Sequence, residues 1–192
     1  MLLASALLGC TEPDRAIPID AVDIFDPAAA QSDTPRYGPP PNAAIAEVLD
    51  VIDGDTITVK LGPNIETVRL LGIDTPEKAG GPRPPECHGD ESSRMAAELV
   101  RPATSVLLSR DTEARDTYGR LLAYVHLADS GRFVNLELLT SGAAVPLSIA
   151  PNTAYTTVFR QAGAEAERDD RGLWRQCGGA DVLLDPGVGS DQ

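Results

Sequence analysis

Positive charge is what this 192-residue sequence most lacks: 16 Lys and Arg stand against 29 Asp and Glu, a formal charge of −13. The sequence pI is near 4.4. A chain so acidic is poorly suited to tight, non-specific binding of a polyphosphate. The shortage is uneven. From Ala44 to Gly178 there are 14 basic and 20 acidic residues, and the flanks carry 2 against 9, so more than half of the excess lies in the tails. Histidine is also scarce. His88 and His126 form no metal-binding constellation and read as structural or surface residues. The apolar run at the start of the chain, Met1 to Gly9, is far too short to span a bilayer.

What is present is a set of carboxylates where strands end. Asp53-Gly54-Asp55-Thr56 follows the run Ala46 to Ile52, and Asp74-Thr75-Pro76-Glu77 follows Val68 to Ile73. Converging carboxylates make a site for a hard cation, because Ca²⁺ and Mg²⁺ prefer oxygen ligands. Arg69 adds a fork of donors that fits a phosphate. Each piece also has a plain structural reading. Asp53-Gly54 between two alternating runs is a strong hairpin signal. Asp74 to Glu77 resembles a strand end with turn chemistry, and a single arginine on a strand is usually a solvated edge residue. Their conjunction with Arg120, in a Tyr-Gly-Arg segment, favours a site.

The periodicity predicts strands at Ala44–Ile52, Thr56–Leu61, Glu66–Ile73, Ser105–Arg110 and Leu121–Leu127. Helices are expected over Asp90–Val100, stopped by Pro102, over Asn135–Thr140, followed by Gly142, and from Thr153 to Arg171, ended by Gly172. The last should bury Tyr155, Val158, Phe159, Ala162 and Ala166, with Trp174 docking nearby. Lys78 to Glu86, with Gly80-Gly81 and three prolines, must be a loop. Five strands and three α-helices suit a five-stranded OB-fold barrel with appended helices, an α+β arrangement. The domain is expected over residues 44–178, after a flexible Pro/Ala/Asp-rich tether at 11–43 and before a disordered acidic tail at 179–192.

Three blocks carry a family resemblance: V-I-D-G-D-T from Val51, R-L-L-G-I-D-T-P-E from Arg69 and D-T-Y-G-R-L-L-A-Y from Asp116. In this order, from about Ala44 to Trp174, they resemble the staphylococcal nuclease (thermonuclease) family. The resemblance implies an OB-fold barrel and a Ca²⁺-dependent nuclease cleaving DNA and RNA to 3′-phosphate products. It implies that Asp55, Asp74 and the carbonyl of Thr75 hold Ca²⁺, with Asp53 as a nearby supporting carboxylate. Glu77 becomes the general base or water-positioner, and Arg69 and Arg120 the phosphate clamp. Tyr118 keeps its family place and either packs on the sugar or base or supports the strand behind it. The family commonly has two tyrosines in the loop Val145 to Asn152, where this chain has Leu147 and Ile149, and Thr117 stands where a lysine is frequent. Chemistry is therefore expected to be retained and substrate grip reduced. The competing reading is a non-catalytic oligonucleotide-binding module with a vestigial site, favoured by the acidity and the missing tyrosines. A further alternative is a domain that binds Ca²⁺ for structural reasons.

The cysteines bear on location. Leu7-Leu8-Gly9-Cys10 resembles the lipobox of a bacterial lipoprotein signal, occupying residues 1–10, with Cys10 lipidated and anchoring the protein to the bacterial membrane. No Lys or Arg precedes the apolar run, so the charged region is missing or the true start lies upstream. The alternative is a free cysteine on a disordered leader. An extracytoplasmic, membrane-anchored or secreted monomer is expected. Export favours oxidation, and with Cys10 used for lipid, Cys87 and Cys177 remain to form a disulfide, the alternative being two buried thiols.

Overall fold

The computed structural model describes residues 37–184. In chain order the elements are β1 (Ala44–Val51), β2 (Thr56–Leu61), β3 (Asn64–Leu70), β4 (Ile73–Asp74), α1 (Gly89–Leu99), β5 (Ser105–Ser109) and β6 (Leu121–Leu127). They continue with α2 (Val134–Thr140), β7 (Val145–Pro146), α3 (Thr156–Arg168) and α4 (Leu173–Cys177). Five strands close a barrel in the order β1-β2-β3-β6-β5, so the expected five-stranded barrel with helices is the fold. All its pairings are antiparallel except β3 with β6. Strand alternation fills the interior: Ala46 and Val48, Ile57 and Val59, Val68 and Leu70, and Val106 and Leu108 are all buried.

The expected third strand is divided. β3 ends at Leu70, the chain turns at Gly72 with φ +77°, and Ile73–Asp74 pairs instead with β7. A Cβ at Gly72 would lie 2.5 Å from the Phe159 ring, so the turn needs glycine for its dihedral and for its closeness to α3. The turn carries Asp74 away from the barrel sheet to pair with Val145. Phe159 is 1% exposed, in a cluster with Tyr124, Phe133 and Tyr155. The apolar face expected for the last long helix is the one that packs, with Val158 half-buried against the core. A fourth, short helix, α4, follows it, and Leu173 rather than Trp174 is its fully buried residue.

The ends of the described fold differ from the expected 44–178. Tyr37, assigned to the tether, packs against the core, and its carbonyl accepts from His126 Nε2 at 2.9 Å. At the other end Leu183 forms a bridge with Glu86, although 179–192 was assigned to a tail. Cys10, the lipobox, residues 11–36 and residues 185–192 lie outside the described residues. Among the described residues, no helix is long and apolar enough to cross a membrane.

Candidate active site

The β1–β2 turn is the hairpin that Asp53-Gly54 signals. Ile52 and Asp53 donate their N–H groups to the Thr56 carbonyl, at 2.9 and 3.2 Å, closing a hairpin. The same turn aims Asp55 inward. Its Oδ2 accepts from the Thr75 N–H at 3.1 Å and the Thr75 hydroxyl at 3.2 Å, and Oδ1 accepts from the Thr56 hydroxyl at 3.0 Å. Gly54 lets the two strand ends meet: a Cβ there would stand 2.7 Å from Thr75 Oγ1.

Arg69 pairs in register with Thr56 on one side and Leu122 on the other, which sets it beside Asp55. One nitrogen, Nη2, lies 3.1 Å from Asp55 Oδ2 and 2.8 Å from Asp74 Oδ1. Nη1 donates to the carbonyls of Leu70 and Ile73 at 2.7 and 2.8 Å. The guanidinium expected on phosphate is thus gathered between two carboxylates and two carbonyls.

Glu77 stands at the edge of this group, its side chain 13% exposed. Its Oε1 is in tight contact with Nη2 of Arg83, an exposed residue of the proline-rich loop. Its backbone is bonded both ways to Glu86: the Glu77 N–H donates to Glu86 Oε2 at 3.0 Å, and the Glu86 N–H donates to the Glu77 carbonyl at 2.8 Å. α1 begins hard against it, since a Cβ at Gly89 would fall 2.0 Å from the Glu77 carbonyl oxygen.

Crowding of negative charge marks the electrostatics. Burial pushes the Asp55 carboxyl up to about 6; Arg69 opposes this, while Asp53 and Asp74 add to it. Burial also raises Asp74, against Arg69 and Arg83, with Glu86 among the groups that reinforce it. Glu77 is raised by burial, against Arg83, with help from Asp53, Glu86 and Asp74. Among the described residues no three His, Cys, Asp or Glu side chains form a ready-made metal cage. The donor set nonetheless fits a hard cation. It is all oxygen, and two of its carboxylates already converge on one positive nitrogen.

Beside the carboxylates is a cavity of about 480 Å³, and Arg69 lines it together with Arg120, Tyr118, Thr117, Leu147 and Ile149. Asp55, Asp74 and Glu77 do not line it. Arg120 precedes β6 and is set by Asp116, whose Oδ2 accepts from Arg120 Nε at 2.7 Å and whose Oδ1 accepts from the Arg120 N–H at 2.9 Å. Burial alone would raise the Asp116 carboxyl, but its hydrogen bonds with Arg120 outweigh that and hold it below the usual range. Tyr118 is 85% exposed, so it does not support a strand; its ring lies 5.6 Å from the Arg120 guanidinium. Sequence reading missed Asp116, Arg83 and Glu86. Asp116 sits four residues before Arg120, a spacing that could have flagged it.

Cys87 and Cys177 are joined in a disulfide, with Cα atoms 5.9 Å apart, tying the start of α1 to the end of α4. His88 Nδ1 lies 2.7 Å from Gln176 Oε1, and His126 stacks on Phe133.

The fold and site together define a closed mixed barrel with carboxylates and an arginine at one strand end and a second arginine lining the adjoining cavity. The staphylococcal nuclease homologue family model matches residues 67–176, and the chain belongs to that family. The match takes in Arg69, Asp74, Glu77 and Arg120, while Asp53 and Asp55 precede it. The chain is 38% identical over 141 residues to the SPbeta prophage-derived endonuclease YokF of Bacillus subtilis, covering 69% of this chain and 46% of that protein. It is 36% identical over 129 residues to a thermonuclease of Staphylococcus intermedius, covering 67% and 75%. With the endonuclease YncB of Bacillus subtilis it shares 39% over 131 residues, covering 66% and 60%. The chain thus spans about half the length of the two Bacillus relatives.

Proposed function

We propose that this protein is a metal-dependent phosphodiesterase that cleaves DNA and RNA, with Ca²⁺ as its metal. The observation that carries the reading is the convergence of Asp55 and Asp74 on Arg69, with Glu77 beside them and the Arg120 cavity adjoining. Relatives named endonuclease and thermonuclease support it. Asp55, Asp74 and the Thr75 carbonyl would hold the cation, with Asp53 as a supporting carboxylate. When bound, Ca²⁺ supplies positive charge to the phosphate and to its nucleophile.

The chain's own residues do the rest. Glu77 takes a proton from the attacking water as the new P–O bond forms. The opposite P–O bond breaks with its electron pair on the leaving sugar oxygen, which takes a proton from solvent; the family resemblance makes the product a 3′-phosphate. Arg120 donates to the phosphate oxygens from the cavity side, and Arg69 does so once its Nη2 is released from the carboxylates. Tyr118 stacks on a base or sugar at the cavity rim.

The same proposal places the protein outside the cytoplasm as a monomer, anchored to a bacterial membrane through lipid on Cys10; the Cys87–Cys177 disulfide is in keeping with export. Digestion of plasmid DNA, single-stranded DNA and RNA with Ca²⁺, each against an EDTA control, tests the activity. Calcium-dependent loss of substrate supports it. Binding without cleavage would favour the oligonucleotide-binding module instead.

A further inference from the structure

Glu77 is the residue whose placement matters most to the proposed chemistry, yet it follows Pro76 at the head of an exposed, proline-rich loop. Its side chain meets one group from that loop, Arg83, itself 67% exposed, and an exposed ion pair holds a side chain only loosely. Something else must fix its backbone.

We propose that Glu86 is a positioning residue for Glu77. The inference rests on the nuclease reading above. Glu86 grips the Glu77 peptide at both ends: its carboxylate accepts the Glu77 N–H at 3.0 Å, and its own N–H donates to the Glu77 carbonyl at 2.8 Å. The two bonds span nine residues and close the proline-rich loop at its neck.

Glu86 is itself braced from three sides. Its carbonyl accepts from the Gly89 N–H at 3.1 Å, on the first turn of α1. The chain beyond α4 returns to pair with it: Glu86 bridges Leu183, the Cys87 N–H donates to the Val182 carbonyl at 2.7 Å, and the Leu184 N–H donates to the Pro85 carbonyl at 3.0 Å. The adjoining residue, Cys87, is bonded to Cys177. The position of Glu77 therefore runs through Glu86 to the C-terminal segment.

The test uses Glu86→Leu, which removes the acceptor, and Glu86→Gln, which keeps a carbonyl oxygen able to accept the Glu77 N–H. Amide exchange of Glu77, followed by NMR on metal-free full-length protein, reads the bond without activity. Exchange should be at least about 10-fold faster in Glu86→Leu and close to wild type in Glu86→Gln. In steady-state digestion kcat should fall roughly 10–100-fold in Glu86→Leu with KM within about 2-fold, since a misplacement near 1 Å costs about 10². Glu86→Gln should recover most of that rate. Unchanged Glu77 exchange in Glu86→Leu overturns the proposal, as does a loss of rate shared equally by both variants. If wild type cleaves no nucleic acid at all, the nuclease reading falls, while the exchange result still decides whether Glu86 fixes Glu77.

Discussion

The carboxylate cluster and the cavity beside it share Arg69 and differ in almost everything else. In the cluster each group has several fixed partners: Asp55 accepts from two hydroxyls and one N–H as well as facing Arg69, and Glu77 is held by its backbone. In the cavity the helix-connecting loop adds two aliphatic groups, Leu147 and Ile149, beside Asn152, and the aromatic one, Tyr118, stands 85% in solvent. Polar groups with many mutual constraints serve to place charge, whereas a wide cavity whose one aromatic side chain faces solvent offers a base little to stack on. On the proposed function, turnover and affinity rest on separate parts and can be altered separately.

The hardest blow to the cluster is Glu77→Gln. Losing a general base lowers kcat by roughly 10²–10⁴-fold, while Ca²⁺ binding measured by calorimetry should persist because the proposed ligands are untouched. Equal digestion rates for Glu77→Gln and wild type in saturating Ca²⁺ would sink the proposed mechanism.

A second experiment separates the acid sensitivity of the scaffold from that of the site. His126 is fully buried and stacked on Phe133; its Nε2 must carry the proton to donate to the Tyr37 carbonyl, and Nδ1 has no partner among the described residues. Burial depresses its pKa to about 4, against a backbone hydrogen bond that favours the charged form. The folded state therefore resists a proton that the unfolded chain takes up near pH 6.5. Stability from this group is present above pH 6.5, falls as pH drops towards 4, and is level below that; the total is about 3 kcal/mol. Asp55, raised by burial, acts in the opposite direction over part of the same range, so the measurement must be a difference. Denaturant unfolding of wild type and His126→Phe at a series of pH values should show a stability gap that narrows on acidification from 6.5 to 4. A constant gap would mean that His126 titrates normally.

How much of this could be read from the sequence follows the same division. Asp55, Asp74, Glu77 and Arg69 lie within 23 residues in two strand-end blocks, and local pattern was enough to assemble them. The barrel was legible for the same reason, since alternation in β1, β2 and β3 is a local property. Glu86 and Arg83 were not legible, because their closeness to Glu77 depends on how a proline-rich loop doubles back and on a C-terminal segment returning from residue 182. Nor was the docking of Tyr37 on His126, a contact across 89 residues. The turn at Gly72 was hidden inside a continuous apolar run, and only the Phe159 ring in space gives it a reason.

Asp55→Ala and Asp74→Ala sharpen the comparison within the cluster. Both should weaken Ca²⁺, with part of the lost activity returning at high calcium. They should differ in stability. Removing Asp55 strands the Thr75 N–H and two hydroxyls in a buried spot, at a cost of about 1–3 kcal/mol, while the Asp74 side chain is 34% exposed and its loss should be milder. Thermal unfolding in EDTA reads this directly; an Asp74→Ala that melts below Asp55→Ala would reverse the ranking of the two.

The smallest expected effect lies on the cavity side, with Leu147→Tyr combined with Ile149→Tyr. Ile149 is 64% exposed and Leu147 is half-buried at the cavity wall, with its N–H fixed to the Gly72 carbonyl at 3.0 Å, so two phenol rings can be accommodated without disturbing the core. A base stacked on an aromatic ring gains about 1–3 kcal/mol, so even one ring engaging at the low end should lower KM about 5-fold. Stacking acts on bound substrate and transition state alike, and for that reason kcat should stay within about 2-fold. The slope of log KM against log salt should not change, because it counts phosphate contacts and neither substitution adds a cation. Arg120→Ala in the same series removes one cation and should flatten that slope by roughly one contact. A tyrosine pair that raises kcat while leaving KM fixed would place the cavity in the chemistry rather than in binding, and the division drawn between the two halves of the site would fail.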